Sequence, residues 1–243
     1  MTQSGGAVER LSSWLPKADW HQELTDRHPA FAEGYARVGD VVSTDGHLPA
    51  RYKLLFAVAI AAVKRDRELV AYFAAAAAAA GVTAAEYDGA CVGLLISRGA
   101  VPHQLMTDAR TDNFPAPPAS GAEASDATVQ GAYDYFTSYF GFVPDYVELL
   151  GERAPKALEG YFLMRDAALT GTQLDKQLME LLLCAVNAAE YQARFVMIHA
   201  RGALKAGASE EALVEACLVA LPFAGVASWL PAAEGLLKAR DPA

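Results

Sequence analysis

The chain has 243 residues, enough for one large domain or two small ones with a sizeable core. Its 29 Asp and Glu residues outnumber its 20 Lys and Arg residues, giving a formal net charge of −9. Because no basic stripe offsets this charge, we do not expect a nucleic acid partner. Ala, Leu, Glu, Lys and Arg dominate while β-branched runs are scarce, which predicts an all-α protein.

The cysteines predict a reducing compartment. Cys91, Cys184 and Cys217 are three in number and form no close pair, which is not typical of a disulfide framework or a zinc site. The first 20 residues contain no basic region followed by an apolar run, so no signal peptide is predicted. We therefore expect a cytoplasmic protein.

One uncharged stretch, residues 216–233, has the length of a membrane span. It contains Pro222, Gly225 and Pro231, which interrupt a continuous helix. The stretch is therefore predicted to be a buried, broken helix, and no membrane partner is expected.

In chain order, the first half predicts helices over 29–42, 49–63 and 70–80, the last of them rich in alanine. Thr83 and Glu86 have the spacing of a capping box that opens a further helix. Residues 107–126 are rich in Pro, Ser, Ala and Gly, which is typical of a linker. An aromatic helix over 132–142 then opens the second half.

The two halves of the chain repeat each other. An offset of 126 residues aligns them without a gap over roughly 80 positions, as expected if each copy is one structural unit. We therefore predict a degenerate N-terminal repeat over 1–106, a linker over 107–126 and a C-terminal repeat over 127–243. The aligned pairs include Asp19 with Asp145, Pro29 with Pro155, Tyr35 with Tyr161, Gly81 with Gly207, Cys91 with Cys217 and Gly99 with Gly225.

Residues 180–207 are predicted to form two buried helices that carry polar groups. Gly207 supplies a left-handed stop at the end of the second helix. An acid and a histidine in such apolar surroundings need partners. Helical spacing puts Glu180, Cys184 and Asn187 on one face of the first helix, and Gln192, Phe195 and His199 on one face of the second.

The second half resembles a known family. Residues 140–161 read FGFVPDYVELLGERAPKALEGY, followed by a Leu-rich helix with Glu180, then His199-x-x-x-Ala203-x-x-x-Gly207. This pattern resembles the carboxymuconolactone decarboxylase and alkylhydroperoxidase D superfamily. The resemblance implies two tandem copies of a compact helical-bundle fold that assembles into trimers or hexamers. We accordingly predict a homo-oligomer, with a trimer favoured over a dimer.

The resemblance also implies a branch of the superfamily. Its peroxidase branch has a CxxC ahead of the histidine, but the corresponding positions here are Gln192 and Phe195, which cannot form thiolates. The decarboxylase branch lacks the CxxC and uses acid–base chemistry around the histidine. In the first repeat, Leu54 and Phe73 stand where the second has Glu180 and His199. We therefore predict one active centre per chain.

Each candidate has a structural alternative. His199 could be a core histidine bonded to a carbonyl, and Glu180 could cap a loop or pair with an arginine. As a couple, Glu180 would hold the imidazole while His199 acts as general acid or base. We predict His199 and Glu180 as the catalytic residues, because the first repeat shows that apolar side chains satisfy packing at both positions.

Five further residues are predicted to bind substrate. Gln192 would donate a hydrogen bond to a substrate carbonyl or merely start the second helix. Asn187 would orient a ligand or cap the first helix. Arg194 would hold a carboxylate or remain solvated. Phe195 shares the predicted face of His199, and Cys184 is by default a buried thiol.

The function predicted from the sequence is cofactor-independent acid–base catalysis on a small organic acid, lactone or polyketide-like molecule. Decarboxylation, isomerisation, elimination or cyclisation would each fit. One alternative is an alkylhydroperoxidase-like thiol enzyme that uses Cys184, and another is a non-catalytic binding or scaffold protein. The five histidines show no metal-ligand spacing, and no phosphate loop or dinucleotide fingerprint is present, so neither a metal nor a cofactor is predicted.

Overall fold

A computed structural model describes residues 6–116 and 127–240 of the chain. The described residues form helices and no strand, which confirms the all-α prediction. The helices of the first half are α1 (Gly6–Leu11), α2 (Asp19–Arg27), α3 (Pro29–Ser43), α4 (Ala50–Val63), α5 (Arg67–Ala79), α6 (Ala84–Arg98) and α7 (Ala100–Asn113).

The second half follows the same order. One short 3₁₀ turn, Val226–Ser228, precedes its last helix. The helices are α8 (Val129–Phe140), α9 (Asp145–Arg153), α10 (Pro155–Thr170), α11 (Lys176–Ala189), α12 (Ala193–Lys205), α13 (Glu210–Leu218), α14 (Leu221–Ala224) and α15 (Trp229–Ala239).

The helix starts confirm the tandem duplication. Helices α2 to α6 begin at residues 19, 29, 50, 67 and 84, and α9 to α13 begin 126 residues later in every case. The predicted boundaries at 106 and 126 remain a prediction. Helix α7 continues to Asn113, so the start of the predicted linker is helical, and its residues 117–126 lie outside the described part.

Local signals set the helix ends. Thr83 and Glu86 form the predicted capping box at the start of α6, and the Ser209 side chain caps α13 by accepting from the Ala212 amide. Gly81 and Gly207 end the preceding helices with φ of 87° and 95°, in the left-handed region that favours glycine.

The predicted broken helix is also present. The first repeat has a continuous α6, whereas the matching stretch of the second repeat is divided into α13 and α14. Pro222 lies in the first turn of α14, where its missing N–H costs nothing. Among the described residues, no helix combines the length and apolarity needed to cross a bilayer.

Two apolar clusters position the functional site. A large core runs through both repeats and includes nearly all of α4 and α11. A smaller cluster joins α8, α9 and α10 around Phe136, Val147 and Leu158. Tyr139 on α8 packs against the large core, so the end of α8 lies where the two clusters meet.

Candidate functional site

Glu180 and His199 form a buried pair between α11 and α12. The Glu180 side chain is fully buried and His199 is 9 % exposed. Nδ1 of His199 lies 2.7 Å from Oε2 of Glu180, a hydrogen-bond distance typical of a charged acceptor. Because an ionised carboxylate only accepts, this contact places a proton on Nδ1 and fixes the orientation of the ring.

A third residue extends this pair. The Tyr139 hydroxyl, in the last turn of α8, donates to Oε1 of Glu180 at 2.5 Å. Burial raises the pKa of Tyr139 far above its usual range, and the Glu180 charge raises it further, while the Arg165 charge opposes both. Both Glu180 oxygens are therefore occupied, and a continuous chain of hydrogen bonds links His199 to Tyr139.

Gly202 leaves the space in which Tyr139 and Glu180 meet. A Cβ at this position of α12 would lie 2.4 Å from the Tyr139 hydroxyl oxygen and 2.6 Å from Glu180 Oε1. Neither distance is compatible with a methyl group. The absence of a side chain at Gly202 is thus required by the hydrogen bond itself.

Two cations lie over the Tyr139 ring. The Arg165 guanidinium carbon from α10 is 4.5 Å from the ring centroid, and Lys176 Nζ from the start of α11 is 5.4 Å away. Burial lowers the pKa of Arg165, but the nearby Tyr139, Tyr135, Tyr161 and Glu180 raise it by more, so the guanidinium stays charged.

A cavity of about 460 Å³ opens beside this group. Tyr139 and Gly202 form part of its wall. Its size falls in the range of small-molecule sites, which combine apolar walls with a few polar groups. The apolar and aromatic part of its wall comes from Phe140, Phe142, Tyr146, Met197 and Ile198.

Cations form the other part of the wall. Arg194, Arg201 and Lys205 project from α12, and Asp145 contributes the acidic side chain of the lining. The predicted Arg194 is thus at the cavity, where its planar fork could bind a carboxylate.

The other predicted binding residues lie elsewhere. Asn187 is buried, accepts from Arg98 of the first repeat at 2.7 Å and donates to the Leu183 carbonyl. Cys184 is buried with its thiol toward the Val196 carbonyl, and burial raises its pKa well above the usual value. Both residues therefore join helices rather than face the cavity.

Gln192 and Phe195 do not share the buried face of His199, in contrast to the expectation from helical spacing. Helix α12 begins only at Ala193, so Gln192 precedes it and is exposed. Phe195 is 48 % exposed in the first turn, and the buried stripe of the helix begins at Val196. Neither residue is part of the cavity wall.

The first repeat lacks every residue of this site, and not only the acid and the histidine whose absence was predicted. Its Gly39 has no side chain, and a Cβ there would lie 2.1 Å from Trp14 Nε1, so an indole fills the space. The offset of 126 pairs Tyr139, Arg165, Lys176, Glu180, His199 and Gly202 with Ser13, Gly39, Ala50, Leu54, Phe73 and Ala76.

This comparison within the chain separates what the fold requires from what the site requires. The second repeat carries all six residues of the site, and the first repeat forms its helical framework without any of them. The six residues are therefore not needed to build the fold. Within the described residues, no three His, Cys, Asp or Glu side chains gather as they would around a metal ion.

Comparison with known proteins agrees with this architecture. The sequence profile of the carboxymuconolactone decarboxylase family matches residues 29–100 and 155–239, once in each repeat. No curated protein matches the chain.

Two crystal structures from Burkholderia xenovorans LB400 are similar. One, of a candidate γ-carboxymuconolactone decarboxylase subunit, is 21 % identical with a TM-score of 0.63, over 94 % of this chain and 96 % of that one. The other, of a candidate carboxymuconolactone decarboxylase, is 24 % identical with a TM-score of 0.42, over 46 % and 87 %. The first of these shows that the fold is shared along nearly the whole chain.

Proposed function

Because the chain belongs to the carboxymuconolactone decarboxylase family, we propose that it is a cofactor-independent acid–base enzyme. Its substrate would be a small organic acid, lactone or polyketide-like molecule, and its reaction a decarboxylation, isomerisation, elimination or cyclisation. The observation that supports this proposal is the buried Glu180–His199 hydrogen bond next to a cavity of small-molecule size.

The couple is suited to holding a proton that the reaction needs. In a decarboxylation, the C–C bond electrons remain on the substrate as a carbanion or enolate, which must then take up one proton. Glu180 orients the imidazole, and the couple is the source of that proton. Such general acid assistance contributes roughly 10²–10⁴-fold to the rate, and positioning of the substrate in the cavity supplies more.

The wall of the cavity favours an anionic substrate with an apolar body. Arg194 and Lys205 on α12 would attract a carboxylate, and Arg194 can bind one through two parallel N–H groups. The rings of Phe140 and Phe142 would cover the apolar part. A lone carboxylate would bind weakly in water, so both parts of the wall are needed for affinity.

The first repeat supplies the substitution that tests this proposal. The double variant Glu180→Leu, His199→Phe places the residues of the first repeat in the second. It should keep the helical circular dichroism spectrum and a cooperative thermal transition, because these side chains already pack in the same framework. It should lose turnover by at least about 100-fold, the lower end of the range for acid–base groups.

The assay uses a panel of carboxylated lactones and β-keto acids. Release of CO₂ and uptake of solvent deuterium into the product are followed together, since both report proton transfer to carbon. His103→Gln, at a partly buried histidine of α7, is the matched control and should retain activity. Full activity in the double variant would overturn the proposed roles of Glu180 and His199.

The alternatives give different results in the same assay. A thiol enzyme would need an accessible thiolate, whereas Cys184 is fully buried and its pKa is raised. A non-catalytic scaffold would show no turnover by the wild type on any member of the panel. The homo-oligomer, with a trimer favoured, and the cytoplasmic location remain predictions, and light scattering tests the first of them.

A further inference from the structure

The catalytic couple does not itself form the wall of the cavity. Glu180 is fully buried and His199 nearly so, whereas Tyr139 lies in the wall and is bonded to Glu180. We propose that the phenol of Tyr139 exchanges the proton with the substrate, and that Arg165 and Lys176 act as positioning cations for it. This inference rests on the proposed acid–base function and names the group that delivers its proton.

The hydrogen-bond chain allows a balanced transfer in either direction. With Glu180 ionised, Tyr139 can take a proton from the substrate while its own proton passes to Oε1 of Glu180. With Glu180 protonated, the phenol gives its proton to a carbanion and receives one from the carboxyl. Two protons shift in each case, with a net transfer of one proton between Glu180 and the substrate, and His199 keeps its own on Nδ1 while orienting the carboxyl group.

The two cations stabilise the negative charge that this scheme creates on the Tyr139 phenol. As the phenol gives up its proton, negative charge develops on a partly buried ring beside the carboxyl of Glu180. Arg165 and Lys176 lie 4.5 Å and 5.4 Å from the centroid of that ring, so they stabilise the charge as it forms. The first repeat, which has Ser13 in place of Tyr139, has Gly39 and Ala50 in place of the cations.

Several titratable groups lie around Tyr139 and influence the pH at which its phenol loses a proton. Glu180 on α11 and Tyr135 on α8 raise its pKa, whereas Arg165 on α10 lowers it. Tyr161 on α10 interacts with Arg165, His199 on α12 bonds Glu180, and Lys176 lies over the ring. Lys205 on α12 lies in the same cavity wall and donates to the Ser138 carbonyl. A test must therefore measure position 139 itself.

The first experiment is Tyr139→Phe, assayed on the substrate that the panel identifies. If Tyr139 transfers the proton, kcat should fall by at least about 100-fold while KM changes by less than about threefold. Tyr133→Phe, on the same helix and outside the cavity wall, is the matched control and should be unaffected. Retention of more than half of kcat by Tyr139→Phe would overturn the inference and leave the proposed function standing.

The second experiment needs no substrate. A trifluorotyrosine is placed at position 139, because its more acidic phenol titrates in an accessible range, and its pKa is measured by fluorine NMR. Arg165→Met and Lys176→Met should each raise that pKa by about one unit or more, since each removes a nearby cation. Arg165→Lys should restore part of the effect. A probe at Tyr35 in the first repeat should not respond.

The outcomes are distinguishable. An unchanged pKa at position 139 in both methionine variants would overturn the role of the cations. Turnover by the wild type together with an active Tyr139→Phe would overturn the role of the phenol alone. A wild type without turnover on the whole panel would overturn both the proposed function and this inference.

Discussion

Lys64 and Glu190 occupy equivalent positions in the two repeats, and their side chains form a salt bridge. Lys64 Nζ lies 3.3 Å from Glu190 Oε1 and donates to the Ala189 carbonyl at 2.6 Å. A contact between equivalent positions is what an approximate two-fold relation between two copies produces. The neighbouring Arg65 and Tyr191 are likewise equivalent, and both adopt positive φ, at 61° and 59°.

A second pair of contacts supports the two-fold relation. Oε2 of Glu215 accepts from the Leu48 amide at 3.1 Å, while Gly89, the counterpart of Glu215, lies against Leu174, the counterpart of Leu48. The same joint is therefore made twice between the repeats. One of the two is polar and the other is apolar.

The polar joint predicts a large stability effect. Lys53 is 1 % exposed, pairs with Glu215 at 2.6 Å and donates to the Val41 and Thr44 carbonyls. Lys53→Met should lower the free energy of unfolding by roughly 3 kcal/mol, the lower end of the range for buried pairs, because it leaves the Glu215 carboxylate, which is 13 % exposed, without its cation. Urea denaturation followed by circular dichroism measures this change.

The apolar joint supplies the control, since its residue at the position of Lys53 is Met179. The double variant Lys53→Met, Glu215→Ala removes both charges and should recover more than half of the loss, as replacement of whole buried pairs often does. A double variant no more stable than Lys53→Met would contradict this account of the joint.

The same joint predicts a dependence on pH. Burial raises the pKa of Glu215, but hydrogen bonds from Lys53 and from the His47 and Leu48 amides outweigh it, so the pKa lies below 4.5. A lowered pKa means that the stabilisation is fully present above about pH 4.5 and is lost as pH falls through the folded-state value. The stability difference between wild type and Glu215→Gln should therefore shrink below pH 4.5. A difference that stays constant down to pH 3 would contradict this assignment.

Much of the fold could be predicted from the sequence because its signals are local. Thr83 and Ser209 mark helix starts, Gly81 and Gly207 mark ends, and each acts within one turn of its own position. The duplication required only a fixed offset. Helical spacing could not place Gln192, which precedes the start of α12, and it could not show that Phe195 lies on an exposed first turn of that helix.

The site was harder to predict because its contacts join distant segments. Glu180 and His199 lie on adjacent helices, so their pairing follows from two short stretches. Tyr139 reaches Glu180 from α8, which packs against α10, and Arg165 comes from α10 as a fourth helix. The sequence nevertheless contained a signal for both residues, since the first repeat has Gly39 at the position of Arg165 and Ser13 at the position of Tyr139.

The three thiols should be inert in the folded protein. All three cysteines are free and buried, and burial raises the pKa of Cys91 and Cys217 to about 12. At pH 8 such thiols are only about one part in 10⁴ thiolate. Iodoacetamide should leave the native chain unmodified and its turnover intact, while mass spectrometry after denaturation should show three adducts. Rapid native alkylation of Cys184 with loss of turnover would instead favour the thiol enzyme.

Gly202 gives the sharpest test of the hydrogen-bond chain. Gly202→Ala should lower kcat by about 10–100-fold, because the new methyl group separates Tyr139 from Glu180 and misplacements of about 1 Å are costly in catalysis. Alanine is the better helix former, so the variant should remain folded. Ala76→Gly, the opposite change at the equivalent position of α5, should cost about 1 kcal/mol of stability and leave kcat unchanged.

Combining Gly202→Ala with Tyr139→Phe shows whether the two residues act together. If the glycine serves only to let the phenol reach Glu180, its loss should matter little once the hydroxyl is gone, and the effects on kcat should be far from additive. If they multiply instead, the methyl group acts by another route, such as narrowing the cavity that Gly202 also lines. Steady-state kinetics of the two single variants and the double variant separate these cases.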